Sequence, residues 1–365
     1  MGIREETGGK PGLLFLEGGK KSMKVVDMHC DTISELFQAR ERGETGSILD
    51  NHFHIDLNKM EQGDYFLQNF AMFVHLGREQ DPFHYAMKLV DLFYTELEQY
   101  ADQIRIVKSW KDIEENRHQG RMSAMLTLEE GGICKGDLAC LRDFYRLGAR
   151  MMTITWNFPN ELGFPNGKDE SVSPARAVPD TEHGLTETGI AFLEEMERLG
   201  MIIDISHLND AGIWDVFRYT KKPFVASHSN ARALAHHPRN LTDEMIRALA
   251  ERGGVAGINY YAPFLKDRED QFTGSGETVS QYTQKKPLHG LCSDMVAHMK
   301  HMKQIGGIGC IGLGSDFDGI NTMTEMKDAS GMQLLADEMS REGFTTGEIE
   351  AVFHDNVLRV YKELL

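Results

Sequence analysis

Residues 25–32 read Val25-Val26-Asp27-Met28-His29-Cys30-Asp31-Thr32, an apolar run that ends in a histidine and an aspartate two positions apart. Side chains at positions i and i+2 of a strand point to the same side, so His29 and Asp31 can face one direction while Cys30 faces the other. The pair either binds a metal ion or consists of structural residues at a strand end. The motif alone does not distinguish these two interpretations, so other parts of the sequence are needed.

Seven further apolar runs follow the first, and helical patterns separate them. The eight runs are Lys24–His29, Phe70–Leu76, Met122–Glu129, Arg150–Trp156, Met201–His207, Pro223–His228, Val255–Tyr261 and Ile308–Asp316. Two intervening stretches, Thr186–Leu199 and Leu241–Arg252, have helical apolar spacing, and glycines follow both. The alternation predicts a parallel sheet. Eight such units in 365 residues predict an α/β fold, a (β/α)8 TIM barrel of the metal-dependent hydrolase type with its active site at the strand ends.

The sequence predicts a short N-terminal segment followed by one barrel. Residues 1–22 are rich in Gly, Lys and Glu without periodicity, which predicts a peripheral extension, and residues 23–365 are predicted to form a single (β/α)8 barrel domain. Two connections, Asn157–His183 and Ala262–His289, are longer than ordinary loops and rich in Gly, Pro and polar residues. We expect them to act as substrate lids.

Composition excludes several classes of partner. Lys and Arg number 39 against 56 Asp and Glu, for a net charge of −17, so phosphate backbones and anionic membranes would be repelled. No apolar run approaches the roughly 20 residues of a membrane span. Five scattered cysteines without a CxxC pair suit reduced thiols. We therefore expect a cytoplasmic protein with neither a nucleic-acid nor a membrane partner.

Five of the eight predicted strands end in potential metal ligands. These side chains are His29 and Asp31, Glu129 or Glu130, His207, His228 and Asp316. Imidazoles and carboxylates without a thiolate favour zinc or another borderline divalent ion. Their number exceeds the need of one tetrahedral site and suits two metal ions that share a bridging carboxylate.

Two other histidine pairs resemble metal ligands by spacing alone. They are His236-His237 and His298/His301. Both lie in polar helix or loop patterns, so we do not expect either to bind a metal ion.

Seven blocks of sequence carry a family resemblance. They are VVDMHCDT (25–32), LTLEEGG (126–132), RMMTITWN (150–157), DISHLND (204–210), ASHSNARALAHHPRNLTD (226–243), GLGSDFDG (312–319) and DNVLRV (355–360). In order and spacing the chain resembles the renal (membrane) dipeptidase family of zinc peptidases from about Met23 to Tyr361. The resemblance implies a binuclear-zinc (β/α)8 barrel, related to the amidohydrolases, that cleaves dipeptides and often forms a homodimer.

The resemblance also implies a set of ligands. His29 and Asp31 would hold one zinc ion, His207 and His228 the other, and a glutamate at the end of the third strand would bridge them. A Glu-Gly-Gly pattern favours Glu130, whereas ungapped spacing to the neighbouring blocks favours Glu129. A shift of one residue turns a side chain to the opposite face, so only one can serve. We prefer Glu129.

Three further residues receive roles through the resemblance. Asp316 would act as general acid/base on a water shared by the two ions, whose charge supplies hydroxide near neutral pH. Arg239 would bind the terminal carboxylate of the substrate. Trp156 stands where many family members have a histidine. An indole donates one N–H but accepts no proton, so we expect a changed substrate contact there. Asp318 is expected in the turn rather than in catalysis.

The leading hypothesis is a dipeptidase with two zinc ions per chain, bridged by Glu129 and a hydroxide that attacks the peptide bond. The alternative is a binuclear amidohydrolase that acts on another amide, an ester or a lactam. A third hypothesis, a metal-binding scaffold without activity, conflicts with the presence of Asp316 and Arg239.

Overall fold

The structure is a computed structural model that describes residues 23–166, 178–267 and 289–365. The predicted extension, residues 1–22, lies outside the described residues, as do the central parts of the two predicted lids, residues 167–177 and 268–288. The peripheral extension and the lids therefore remain predictions.

The described strands, in chain order, are β1 (Val25–Asp27), β2 (Tyr65–Phe73), β3 (Ile104–Ile106), β4 (Met122–Glu129), β5 (Met151–Thr153), β6 (Ile202–Asp204), β7 (Val225–Ala226), β8 (Val255–Ile258), β9 (His289–Gly290), β10 (Ile311–Leu313) and β11 (Met323–Thr324). Eight of them form a parallel ring in the order β1-β2-β4-β5-β6-β7-β8-β10. Asp27 of β1 pairs with Leu313 of β10 and closes the ring. The predicted (β/α)8 barrel is confirmed.

The second barrel strand is where the prediction of strand limits was least accurate. It begins at Tyr65, five residues before the predicted start at Phe70. The prediction missed the first half because Gln68 and Asn69 interrupt the apolar pattern, although both side chains are buried. Asn69 Nδ2 donates to Tyr361 Oη at 2.6 Å, and this bond gives the buried amide nitrogen a partner. The sequence pattern also missed β3, whose three residues pair along the first half of β4.

The described helices are α1 (Thr32–Glu41), α2 (Leu57–Gln62), α3 (Pro82–Glu98), α4 (Trp110–His118), α5 (Leu138–Leu147), α6 (Glu187–Leu199), α7 (Asp210–Tyr219), α8 (Asp243–Glu251), α9 (Ala262–Leu265), α10 (Cys292–Gly306), α11 (Met332–Arg341), α12 (Thr346–Glu350) and α13 (Asn356–Leu364). None of the helices in these ranges is long and apolar enough to cross a membrane.

The two helices predicted from sequence are confirmed as α6 and α8. Thr186 accepts a hydrogen bond from the Gly189 N–H at 3.0 Å, and Thr242 accepts one from the Met245 N–H at 3.3 Å. These bonds satisfy N–H groups that the first turn of a helix leaves open. Gly200 ends α6 at φ 80°, a left-handed conformation that suits glycine.

The C-terminal helix α13 closes one end of the barrel. Val357 and Tyr361 pack with Val26, Met125 and other side chains of the strands in a buried cluster. Arg359 donates to the carbonyls of Gly253 and Gly309, which lie just before β8 and β10 begin. The helix therefore covers the N-terminal ends of the strands and leaves the opposite rim for a site.

Candidate active site

The five predicted ligands meet at the C-terminal rim of the barrel. They follow or end four strands and are all buried: His29, Asp31, Glu129, His207 and His228. Cys30 lies between two of them in sequence, but its Sγ points away toward the main-chain oxygen of Asn69 at 3.4 Å. The alternation expected of an extended chain thus places both polar neighbours of Cys30 on the cluster side.

Glu129 lies at the centre of the cluster. Its Oε2 is 3.2 Å from His29 Nε2, and its Oε1 is 3.1 Å from His207 Nε2 and 3.7 Å from His228 Nε2. Asp31 Oδ2 is 3.4 Å from His29 Nε2 on the first side. Each carboxylate oxygen of Glu129 therefore faces a different part of the ligand set, as a bridging carboxylate would require.

The neighbouring Glu130 has a different environment. Its backbone adopts φ 112°, and its carboxylate accepts hydrogen bonds from the main-chain N–H groups of Gly132 at 2.7 Å and Trp156 at 2.9 Å. The Asn160 side-chain amide donates to the same carboxylate. Glu130 holds the loop after β5 and lies outside the groups that could hold a metal ion in the described chain.

Three overlapping groups could each hold a metal ion. They are His29, Asp31 and Glu129; Glu129, His207 and His228; and His29, His228 and Asp316. In each group the ligand atoms lie within 4.8 Å of one another. His29, His228 and Glu129 each belong to two groups, and Glu129 is the carboxylate among them, as expected for two ions that share a bridging carboxylate.

Hydrogen bonds on the outer side of the cluster set the tautomers of two histidines. Ser227 Oγ donates to Asp204 Oδ2 at 2.5 Å and contacts His228 Nδ1 at 2.7 Å. The single hydroxyl proton goes to the carboxylate, so His228 Nδ1 must donate and Nε2 keeps its lone pair. His207 Nδ1 lies 3.0 Å from Asn157 Oδ1, an acceptor, with the same consequence.

Charges within the cluster shift the pKa values of its members. Burial alone would lower the pKa of His29, but Glu129 and Asp31 outweigh burial and raise it well above its usual value. Burial would likewise raise the pKa of Glu129, yet His29 and His207 hold it well below its usual value. Burial lowers the pKa of His207 to about 4, with Arg239 contributing, and lowers that of His228 well below its usual value. Glu129 ionised and His207 and His228 neutral are the forms that bind metal, whereas His29 carries a proton that a bound metal ion would displace.

The buried atoms of this cluster fit a cation. His29 Nε2 and Asp31 Oδ1 are buried without a hydrogen-bond partner among the described residues. His207 Nε2 and His228 Nε2 approach to 2.9 Å, although the outer hydrogen bonds direct both lone pairs inward. Buried polar groups normally have partners. A divalent ion would satisfy all of these atoms, and a nitrogen and oxygen donor set suits zinc.

Asp316 lies at the edge of the cluster in a strained turn. Its φ is 59°, in the left-handed region that non-glycine residues avoid and functional sites often contain. Its Oδ2 accepts from Asn259 Nδ2 at 2.9 Å, while Oδ1 is 3.9 Å from His29 Nε2. Burial raises the pKa of Asp316 to about 6. The carboxylate therefore borders the ligands without being enclosed by them.

Arg239 is a buried cation with few hydrogen-bond partners among the described residues. Its Nη1 lies 3.4 Å from Ser229 Oγ, whereas its Nε and Nη2 have no hydrogen-bond partner within the described ranges. Its guanidinium also lies 5.5 Å from the centre of the Phe264 ring. Burial lowers its pKa to about 10, against the attraction of Asp316 and Glu129, so it stays charged. Two open donors on a planar fork suit a carboxylate.

Trp156 lies beside the cluster and belongs to an aromatic group. Its ring centre is 6.1 Å from that of His207 and 4.8 Å from that of Phe73. The side chain is half-buried, so part of it is accessible to solvent. The predicted site residues are thus all at one rim, and their catalytic and binding roles remain proposals.

The histidines of the two other pairs lie outside the groups that could hold a metal ion in the described chain. His298 Nδ1 accepts from the Ala231 N–H at 3.1 Å, and His301 Nε2 contacts Asp243 at 2.7 Å. His236 contacts Asp267, and His237 Nδ1 accepts from the Arg239 N–H at 3.1 Å. Asp318 accepts from Thr32 Oγ1 and the His54 N–H, which matches the turn role expected for it.

Sequence reasoning missed the residues that support the ligands. Asp204 accepts from the N–H groups of Ser206 and Ser227, and Asp27 accepts from those of His29 and Ser315. Both aspartates end a barrel strand and come two or three residues before a ligand histidine. An aspartate at the strand end, shortly before the ligand histidine, occurs in both places, and this recurrence could have identified the two residues from the sequence.

Comparison with known proteins agrees with this geometry. The family model for membrane dipeptidase, peptidase family M19, matches residues 20–364. An uncharacterized dipeptidase of Schizosaccharomyces pombe is 30% identical over 360 residues, covering 94% of this chain and 81% of its own.

Two crystal structures are similar over the whole barrel. Dipeptidase AC, a metallopeptidase of family M19, has a TM-score of 0.80 at 26% identity and covers 94% of this chain and 99% of its own. A metallopeptidase of Rhodobacter sphaeroides, solved with a phosphinate mimic of the dipeptide L-Ala-D-Ala, has a TM-score of 0.79 at 25% identity and covers 94% and 100%. The chain belongs to the membrane dipeptidase family, peptidase family M19, and is an enzyme of that family of metallo-dipeptidases.

Proposed function

We propose that the protein is a zinc-dependent dipeptidase with two zinc ions per chain. His29 and Asp31 would hold one ion, His207 and His228 the other, and Glu129 would bridge them. The overlap of two candidate ligand groups at Glu129 supports the two-ion arrangement. The absence of thiolate from these groups supports zinc over softer metals, although manganese and cobalt share the same donors.

One observation is the main support for a small substrate that bears a carboxylate. Arg239 is buried beside the ligand cluster, and two of its donor nitrogens have no hydrogen-bond partner among the residues that the structure describes. A buried unpaired cation is costly, and a ligand carboxylate would offset that cost. A dipeptide has its free carboxylate a few bonds from its only peptide bond. A substrate held by Arg239 would therefore bring that bond to the cluster.

Asp316 is the proposed general acid/base. When bound, the two ions would acidify a water molecule and polarise the scissile carbonyl. Their charge would also lower the pKa of Asp316 from about 6 and keep its carboxylate ready to accept a proton from that water. Asp316 would then deliver the proton to the amine that leaves. Asn259 donates to Oδ2 and orients the carboxyl group for both transfers.

The ligand of the Rhodobacter sphaeroides relative supports a dipeptide substrate. That relative was solved with a phosphinate mimic of L-Ala-D-Ala. We therefore propose that this chain accepts dipeptides and include a D-residue at the second position among those to test.

The test is hydrolysis of L-L and L-D dipeptides, with N-acetylated and C-amidated versions, by zinc-loaded enzyme and a metal-stripped control. We expect metal-dependent cleavage that C-amidation strongly reduces. Binding of two zinc ions without cleavage of any dipeptide would contradict the proposal and favour another amide, an ester or a lactam.

The cytoplasmic location and the homodimer expected from sequence remain predictions. Fractionation of the native cells would check the first, and light scattering of the purified protein would check the second.

A further inference from the structure

Four aromatic side chains form a continuous surface beside the metal-ligand cluster. This aromatic wall consists of Phe73 and His75 at the end of β2 and of Trp156 and Phe158 after β5. Ring-centre distances are 5.0 Å for His75 to Trp156, 5.1 Å for His75 to Phe158 and 5.9 Å for Trp156 to Phe158. All four side chains are half-buried. The wall is therefore packed within itself and still partly accessible to solvent.

Contacts behind the wall hold it in place. The main-chain N–H of Trp156 donates to Glu130 at 2.9 Å, and the N–H of Phe73 donates to Ser34 Oγ at 3.2 Å. Gly77 lets the chain after β2 pass close to the wall, because a Cβ there would lie 2.8 Å from Phe158 Cζ. Aromatic side chains have few rotatable bonds, so a wall fixed from behind loses little entropy on binding a ligand.

The ring order of the strands places this wall opposite the proposed polar contacts. In the eight-strand ring, β7 lies four strands from β2, and β10 lies four strands from β5, so each pair is on opposite sides of the barrel. Arg239 follows β7 in the chain, and Asp316 follows β10. Trp156 approaches the cluster from its own side, with its ring 6.1 Å from that of His207. The cluster thus lies between a charged side and an aromatic side.

A dipeptide held by Arg239 has one orientation in this cleft. Its carboxylate lies at Arg239 and its scissile bond at the cluster. The N-terminal residue must then extend toward the aromatic wall. This step rests on the proposed dipeptidase function.

We infer that the aromatic wall is the pocket for the side chain of the N-terminal residue and selects dipeptides with an aromatic or large apolar residue there. Contact with the wall removes apolar surface from water, and ring pairs add edge-to-face attraction. A charged side chain at this position would lose hydration without a matching partner in Phe73, Trp156 or Phe158.

The test is kcat/KM for a series X-Ala with X as Gly, Leu, Phe, Glu or Lys, in zinc-loaded wild type, Trp156→Ala and Phe158→Ala. We expect wild type to favour Phe-Ala over Gly-Ala by about tenfold or more, and each variant to lose most of this preference. Trp214→Ala, which truncates a tryptophan that is 44% exposed on α7, is the matched control and should keep the wild-type preference.

Zinc content and the thermal unfolding midpoint, compared with those of wild type, show whether a variant is folded and loaded with metal. A second series, Gly-X, varies the other residue and should give the same ratios in all four proteins. Equal kcat/KM for every X-Ala in wild type, or an equal loss for all substrates in both variants, would overturn the pocket assignment and leave the dipeptidase function intact. Absence of turnover for every dipeptide in wild type would overturn both.

Discussion

The two sides of the cleft differ in what they leave unsatisfied. The polar side, Arg239, Asn259 and Asp316, buries charge, and two guanidinium nitrogens of Arg239 have no partner in the described chain. The aromatic side, Phe73, His75, Trp156 and Phe158, presents ring surfaces that contact one another. Buried charge without a partner costs much more than apolar surface exposed to water.

This difference indicates how each side would act on a substrate. A site built for a polar group rejects ligands that lack the group by large factors, whereas an apolar pocket discriminates by about 10–200-fold per group. The polar side should therefore decide whether a molecule is a substrate at all. The aromatic side should rank the molecules that qualify. The following predictions test this division, beginning with the largest effect.

Asp316→Asn should abolish most turnover while the protein retains its metal. Loss of a general acid/base costs about 10²–10⁴ in kcat. Asp316 Oδ1 is 3.9 Å from His29 Nε2, farther than Glu129 at 3.2 Å, so we expect the other ligands to hold the ions. The measurements are kcat and zinc content by elemental analysis. Asp318→Asn, in the same turn, is the control and should keep wild-type kcat. Loss of zinc in Asp316→Asn would instead identify a ligand.

Arg239→Met should weaken use of dipeptides by roughly a hundredfold in kcat/KM, the effect of removing one member of a buried charge pair. C-amidation should penalise wild type by a similar factor and the variant hardly at all, because the variant lacks the group that senses the carboxylate. Arg247→Met on the exposed face of α8 is the matched control. A variant that still discriminates against amides would show that another group binds the carboxylate.

Trp156→His should make the aromatic side less apolar and give it a titratable group. The smaller ring removes apolar surface, so the preference for Phe-Ala over Gly-Ala should fall by about threefold to tenfold. The new imidazole also titrates near neutrality, so the pH profile of kcat/KM should gain an inflection between about pH 6 and 7. A variant with wild-type ratios and profile would show that position 156 does not contact substrate.

His298 gives a pH effect on stability away from both sides. It accepts from the Ala231 N–H and contacts the Leu265 carbonyl, so it is neutral, and burial lowers its pKa to about 4. The unfolded chain therefore binds more protons than the folded chain between about pH 6.5 and 4, and stability falls as pH falls through this window. Well inside this window the loss approaches about 1.4 kcal/mol for each pH unit.

His298→Gln keeps a donor and an acceptor without the titration. Denaturant unfolding at pH 7, 5.5 and 4.5 should show a smaller loss of stability in the variant than in wild type. Parallel loss in both proteins would contradict a neutral buried His298. Dipeptide turnover at pH 7 should be unchanged.

Glu129 and Glu130 show how far the sequence reached into the site. Family spacing and the motif favoured different residues, and the sequence offered no decisive criterion. In the structure Glu129 enters the cluster, and Glu130 turns to φ 112° and accepts bonds from Gly132, Trp156 and Asn160. The outcome depends on loop contacts between distant residues, which no local pattern encodes.

The hydrogen bonds that orient the ligand histidines could not be predicted from the sequence for the same reason. Ser227 reaches Asp204 across two neighbouring strands, and Asn157 reaches His207 across fifty positions of sequence. The first half of β2 was missed because it contains polar residues, one of which, Asn69, donates its amide N–H to Tyr361 near the C-terminus. Each of these cases is a polar group whose partner is far away in the chain.

By itself the sequence determined the barrel and the ligand candidates. Apolar runs of strand length alternate with capped helices, and side-chain direction in a strand follows position, so strand ends can be located without a structure. Only the tertiary structure decided which glutamate enters the cluster, which tautomer each histidine adopts, and that Phe73 and His75 join Trp156 and Phe158 in one surface. These features depend on distances between strands, and closure of the barrel sets those distances.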